Sequence, residues 1–354
     1  MFESIVSWDN VTYSYKQTQK SSPKHKVPAV RFRQNETRNL KQIQEAVRSG
    51  EFKPKGFYLF EILEPKRRTI HAPAYEDKIV HHMLYQRLRD YCEPKFIFDS
   101  YSCIRGKGNQ RAVKRLHYFM KQVENEHGEV WVYKLDVSKF FPSIVHSILK
   151  EILKKLGLDQ STLDLCYTII DSSPHKIIGL PLGCVSSQLF ANVYMNPLDH
   201  FMKRFVKAKH YLRYADDIFI LCGSKEEAVE KGNKCHKYLT ERLGLSCAPD
   251  KRYVKKVSKV GLDGLGYKIF STHILLSSKA KIRAKRMIRK LTRQYHTKEK
   301  TIRQINCSLA AWTSHAQVAN SYNFIKKLVE EFPQVAYTDN TLKFNPTKLN
   351  GETP

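Results

Sequence analysis

Two aspartates stand side by side at Asp216 and Asp217, inside Tyr214-Ala215-Asp216-Asp217, with Tyr211 and Leu212 before them and Ile218, Phe219, Ile220 and Leu221 after. Two apolar runs joined by so short a segment read as paired strands with a tight turn between them. In isolation such a pair is ordinary, because Asp tolerates left-handed backbone and hydrogen-bonds its own chain. As ionised neighbours, however, the carboxylates raise each other's pKa unless a cation lies between them, which suggests a divalent metal. A third carboxylate, Asp136, ends the aromatic and β-branched run Val132-Tyr133-Lys134-Leu135. Alone it would be read as a helix N-cap. Three aspartates on two neighbouring strands are what two magnesium ions need to activate a 3′-hydroxyl and steady a leaving pyrophosphate.

The elements that must hold these groups are legible as periodicities. Leu40, Ile43 and Val47 give helical spacing between Thr37 and Ser49, after a basic, Ser/Gln/Pro-rich stretch that reads as a flexible basic arm. Phe57 to Leu63 alternates as a strand, Glu64-Pro65-Lys66-Arg67-Arg68 turns, and Thr69 to Pro73 returns. Helices are expected over Asp77 to Tyr91, Gln110 to Val123, onward from Ser187, and Lys225 to Leu243. Leu245 to Lys251 reads as a loop and Gly264 to Phe270 as a strand. Beyond Ser277 a helix carries crowded cations with Ile282, Met287, Ile288 and Leu291 as its packing face. A pair of helices with Trp312 and Tyr322 as anchors follows, and the tail from Asp339 is polar.

Composition narrows the class. Lys and Arg total 61 against 34 Asp and Glu in 354 residues, a net charge of +27 that implies a polyanionic partner and salt-dependent binding. The eight cysteines form no Cys-x-x-Cys pair or zinc spacing and read as reduced core residues. No apolar run approaches the roughly 20 residues of a membrane span, and no signal peptide is expected, so the expected home is a reducing cytoplasm.

From about Lys66 to Tyr267 the chain resembles the reverse transcriptases. Leu135-Asp136-Val137-Ser138-Lys139-Phe140-Phe141 is similar to the motif that bears the first metal ligand, and Tyr214-Ala215-Asp216-Asp217 to the Tyr-x-Asp-Asp hairpin. Between them, Leu182-Gly183-Cys184-Val185-Ser186-Ser187-Gln188 stands where most members have Gln-Gly-x-x-x-Ser-Pro. Leu182 and Gln188 together resemble the subfamily of diversity-generating retroelements. The resemblance implies an α+β right-hand polymerase with an antiparallel palm sheet and a helical thumb. Its parts would be a basic N-terminal arm and helix (1–55), fingers (56–130), palm (131–272, with a finger insertion at about 143–178), thumb (273–338) and flexible tail (339–354).

It also implies roles. Asp136, Val137, Asp216 and Asp217 would hold two Mg2+ ions, and Lys251 would protonate pyrophosphate. Lys66, Arg68, Arg105, Phe141, Leu182, Gly183 and Gln188 would surround the incoming nucleotide. Arg68 neutralises phosphate charge, and the Phe141 ring excludes a 2′-hydroxyl. Leu182 offers apolar contact where Gln would hydrogen-bond, which lowers fidelity, concentrated by family resemblance opposite template adenines. Gly264, Leu265, Gly266 and Tyr267 would grip the primer. Lys281, Lys285, Arg286, Arg289 and Arg293 would follow the template and primer duplex. The expected partners are template RNA, RNA/DNA hybrid, deoxynucleoside triphosphates and a small basic accessory protein that forms a ring, in a bacterial, archaeal or phage-encoded system. The alternatives are a retron or group II intron type of reverse transcriptase, or an inactive RNA-binding scaffold.

Overall fold

The computed structural model describes residues 1–22, 26–63 and 67–349. Helices α1 (Phe2–Ile5), α2 (Trp8–Ser21), α3 (Val27–Gln34) and α4 (Glu36–Arg48) precede the antiparallel hairpin of β1 (Phe57–Ile62) and β2 (Arg68–Pro73). Helices α5 (Tyr75–Cys92) and α6 (Asn109–His127) lead to β3 (Trp131–Val137). Then come α7 (Phe140–Ser143), α8 (His146–Lys154), α9 (Gln160–Asp171) and α10 (Val185–His200), the last running into a π-helical turn over Phe201–Phe205. After β4 (His210–Tyr214), β5 (Asp217–Cys222), α11 (Lys225–Leu243) and β6 (Cys247–Lys256) come three short strands, β7 (Leu262–Gly264), β8 (Tyr267–Ile269) and β9 (Ile274–Leu276). Helices α12 (Ser278–His296), α13 (Ile302–Ala316) and α14 (Tyr322–Glu331) follow, and β10 (Val335–Thr338) pairs with β11 (Thr341–Phe344). The largest sheet has the order β4-β5-β3-β6, so the strand ending near Asp136 lies beside the strand that begins with Asp217.

The chain forms two compact units. The first comprises Met1–Ile104, Lys134–Ile218 and Glu230–Tyr253. Its centre is α5, whose Ile79, Val80, Met83, Leu84 and Leu88 are fully buried between α2 and α10. Truncating one of these leucines to Ala would cost about 2–5 kcal/mol. Helix α2 is capped by Ser7, which accepts from Asn10 N–H, and Asn10 in turn donates to the Met83 carbonyl at 3.0 Å. The described residues of the segment expected as a flexible arm are therefore helical and packed, with Val11, Tyr15 and Phe32 buried. Its cations face water while apolar residues at helical spacing between them face inward, a pattern hidden by the polar average.

The second unit comprises Arg105–Tyr133, Phe219–Val229 and Val254–Pro354. It contains the antiparallel meander β7-β8-β9 and the hairpin β10-β11 on α13, whose start carries a capping box of Thr301 and Gln304. The expected strand Gly264 to Phe270 is in part a strand, with Tyr267–Ile269 forming β8, but it is broken at its start: Gly264 ends β7, and Leu265 and Gly266 take positive φ (54° and 89°) in the turn between the two. On α12 the packing face is Ala280, Ala284, Ile288 and Leu291, and Ile282 is exposed. Tyr322 is exposed too and anchors nothing, while Leu342 and Phe344, in the expected flexible tail, are buried. Among the described residues no helix is long and apolar enough to cross a membrane.

Candidate active site

Within the first unit the hairpin of β4 and β5 turns at Ala215, whose φ of 54° lies in the left-handed region. Such backbone is strained for Ala and needs outside support. Arg213 supplies it. This arginine is fully buried, and its Nε and Nη2 donate to both oxygens of the equally buried Asp199 at 2.7–3.0 Å. Its remaining N–H groups reach Ser100 Oγ (2.9 Å), Asn192 Oδ1 (3.1 Å) and the Ala215 carbonyl (3.2 Å). All five guanidinium donors are used, the last on the strained residue itself. Tyr211 completes the cluster by donating to Asp199 Oδ1 at 2.7 Å.

The turn is also tied to β3, since Val137 N–H donates to the Asp216 carbonyl at 3.2 Å. Ser138 N–H donates to the Ser246 carbonyl (2.9 Å), and Ala248 N–H to Ser138 Oγ (2.9 Å), which fastens the start of β6 beside the same strand end. Lys251 consequently lies on β6 rather than in a loop, and its Nζ is 2.9 Å from Asp136 Oδ1. Lys134 faces Asp217 at 3.5 Å. Burial, then Asp217, then Asp136 push the Asp216 carboxyl up to about 6. Asp217 is raised as well, by burial first, with Lys134 opposing and Asp136 adding to the shift. The Lys251 ammonium is held above its usual range by its hydrogen bond to Asp136.

Among the described residues no set of three His, Cys, Asp or Glu side chains is arranged to hold a metal ion. Two of the three aspartates meet lysines instead. The donor set nevertheless suits a hard divalent cation: the carboxylates are oxygen ligands, and they sit close enough for Asp136 to act electrostatically on both others. The Val137 side chain is buried, so only its backbone can face this cluster.

The 179–184 loop packs between α7 and the β1-β2 hairpin. Leu180 N–H donates to the Phe141 carbonyl (2.8 Å), and His71 N–H to the Leu182 carbonyl (2.7 Å). Gly183, at φ 119°, lies so close to β2 that an added Cβ would come within 2.8 Å of Ile70 and 2.9 Å of the His71 carbonyl. Leu182 is half-buried, whereas Gly183 and Gln188 are exposed at the edge of a cavity of about 860 Å³ lined also by Ile70, Lys78, His81 and His82. Burial drives His81 and His82 down to about 4, so both are neutral. Phe140 is buried and Phe141 half-buried at the start of the short helix α7.

Other expected residues are dispersed. Arg68 is exposed at the start of β2, and Lys66 lies outside the described residues. In the second unit Arg105 is exposed, while Tyr267 is fully buried with its hydroxyl bonded to His315 at 2.7 and 2.8 Å; Gly264 is buried too, and of the turn only Leu265 and Gly266 reach the surface. The turn is braced by Asn109 Nδ2 on the Leu265 carbonyl (3.1 Å). On α12, Lys285 and Arg289 both pair with Glu331, Lys281 lies 5.7 Å from the Phe324 ring centre, and Arg286 and Arg293 face water. Sequence reasoning missed Lys134, Arg213 and Asp199. A cation inside the apolar run of β4 and an acid inside the apolar run of α10 were the signal, since charges so placed require a buried partner.

Residues 54–269 match the family described as reverse transcriptase (RNA-dependent DNA polymerase). The chain belongs to that family. It is 25% identical to the group II intron-encoded protein LtrA of Lactococcus lactis subsp. cremoris over 46% of this chain and 28% of that protein. It is 22% identical to a COX1/OXI3 intron 1 protein of Saccharomyces cerevisiae over 66% of this chain and 34% of that protein. The chain thus spans only about a third or less of these relatives' length. A telomerase of Candida tropicalis, solved with a fragment of telomeric RNA, shares the fold with a TM-score of 0.51 at 12% identity, covering 78% of this chain and 55% of that one. Its mixed helices and antiparallel sheets are consistent with a right-hand polymerase.

Proposed function

We propose that this protein is an RNA-directed DNA polymerase that adds deoxynucleotides to a primer 3′-hydroxyl along template RNA, with 1–272 forming N-terminal, fingers and palm elements and 273–338 a thumb. The observation that carries the reading is the convergence of Asp136 with the Asp216-Asp217 turn, where burial first, and then the neighbouring carboxylates, lift Asp216 to about 6. Asp136, Asp216 and Asp217, with the Val137 backbone, would hold two Mg2+ ions, which supply Lewis-acid activation of the hydroxyl and neutralise the pyrophosphate. The Lys251 ammonium, 2.9 Å from Asp136, lies beside these carboxylates and would serve as the proton donor to the leaving pyrophosphate. Within the first unit, the exposed Arg68 is the cation that meets the triphosphate. The half-buried Phe141 ring blocks a 2′-hydroxyl. The 264–266 turn and the α12 cations bear on the primer and duplex.

Leu182 and Gln188 support a finer reading, error-prone copying for sequence diversification by a diversity-generating retroelement with a ring-forming basic accessory protein, in a prokaryotic cytoplasm. Similarity to LtrA favours a second reading, a group II intron type of enzyme. Primer extension with magnesium tests the activity: wild type extends, and the folded Asp216→Ala/Asp217→Ala variant binds RNA without extending it. Sequencing the product of an adenine-rich RNA template separates the readings. Errors concentrated at adenines, reduced by Leu182→Gln, support diversification, and accurate copying refutes it.

A further inference from the structure

A second feature of the first unit lies outside the carboxylate cluster. Between α8, the π-helical turn that ends α10, and α11 runs a groove of about 1050 Å³. Three rings form a ladder in it. Phe201 stacks on Tyr238 at 4.7 Å and on Phe205 at 6.1 Å, with interplanar angles of 29° and 25°. The ladder has a local cause: Val206 N–H bonds the Phe201 carbonyl five residues back, and this wider turn brings residues four apart onto one side. Phe205 ends the ladder 78% exposed. With the half-buried Phe201 and Tyr238 stacked behind it, this ring is not an isolated exposed residue but the open end of a contiguous aromatic patch, the kind of surface that marks a binding site.

The walls say which occupant. Lys155 closes α8, and Lys234, Lys237 and Arg242 lie along α11 over about 12 Å of helix. Only Glu151 and Glu241 oppose them within the groove lining. Lys234 pairs with Glu230 and Lys237 with Glu241, but these pairs are solvent-exposed and worth little, so phosphate oxygens compete for the ammonium groups. Protein interfaces are depleted in Lys and Glu, the residues that line these walls. An open ring face flanked by a surplus of cations is instead the chemistry of a single nucleic-acid strand, in which bases stack on aromatic rings and phosphates track the cations.

We propose that this groove is a docking site for single-stranded RNA, one base lying on Phe205 and the backbone following Lys234 and Lys237. That the strand is RNA rather than DNA rests on the polymerase reading, because template beyond the copied stretch is single-stranded RNA. The ring ladder and cations ask for a single strand by themselves.

Fluorescence anisotropy of a labelled, unstructured oligouridylate, titrated with the full chain already saturated with a short primed template, tests the groove apart from the polymerase site. Phe205→Ala and Lys234→Glu/Lys237→Glu each weaken binding by about five-fold or more, the low end of one base on one ring. Phe205→Trp restores binding, and extension of the short template is unchanged. Phe205 is so exposed that its truncation leaves the fold intact. Wild-type affinity in both variants overturns the proposal. So does unaltered RNA binding with a changed mass by light scattering, which would make the groove a contact between copies, or with lost binding of an acidic peptide, which would make it a protein site. Tighter binding of the deoxy strand overturns the RNA assignment. A wild type that binds oligouridylate in the groove yet extends no primer refutes the polymerase reading alone.

Discussion

Replacing Asp216 with Asn should stabilise the protein while destroying its synthesis. Burial and two neighbouring carboxylates lift Asp216 from 3.8 to about 6, roughly two units and hence about 3 kcal/mol of cost once it ionises. Water reaches part of the half-buried carboxylate, so this is an upper figure. The folded state holds its proton more tightly than the unfolded chain, so stability falls as pH rises from 3.8 towards 6, and the whole cost is present above that window. Asn is isosteric and uncharged and removes it. Chemical denaturation in a chelating buffer should therefore show Asp216→Asn more stable than wild type by up to about 3 kcal/mol at pH 8, shrinking to about 1 kcal/mol at pH 4.5. Magnesium should stabilise the wild type more than the variant and narrow the gap at the higher pH. A variant no more stable than wild type in chelator at high pH, or one whose gain ignores pH, would refute the electrostatic reasoning.

Three further perturbations follow from the same geometry. Lys251→Ala should slow single-nucleotide incorporation by about a hundred- to ten-thousand-fold in rapid quench, the range of a lost general acid, while magnesium saturates at lower concentration because no ammonium competes for Asp136. Phe141→Ala should raise ribonucleotide insertion relative to deoxynucleotide by about 10- to 200-fold, measured as a ratio of kcat/KM. Arg213→Met leaves Asp199 buried without its cation and should cost about 3–5 kcal/mol in denaturation. Adding Asp199→Leu should recover part of that stability but little extension activity, since nothing then holds the Ala215 carbonyl.

Much of the site was legible because its residues sit where period-2 and period-3.6 patterns change. The Asp pair marks a turn between two apolar runs, and Asp136 ends a third; β3, β4 and β5 follow those runs closely. Helix α11 spans the residues its spacing foretold. What stayed hidden depends on partners distant in sequence. Polar sequence before Phe57 concealed a helical layer because only one stripe of each helix is apolar. Lys251 reads as a loop residue because Pro249 and Asp250 are poor strand formers, yet strand β6 forms against β3, whose backbone and Ser138 hold it. The Arg213 cluster joins Ser100, Asn192, Asp199 and Ala215, and no local period connects them.

The central claim is that Asp136 and the Asp216-Asp217 turn bind the same pair of metal ions. Iron(II) supplied in place of magnesium, with peroxide and ascorbate, cuts backbone beside its binding site, and the fragments can be mapped by mass spectrometry. Cuts should fall both next to Asp136 and next to Asp216, be suppressed by excess magnesium, and disappear together in Asp136→Asn. Cuts confined to one of the two segments, or unaffected by that substitution, would contradict the claim.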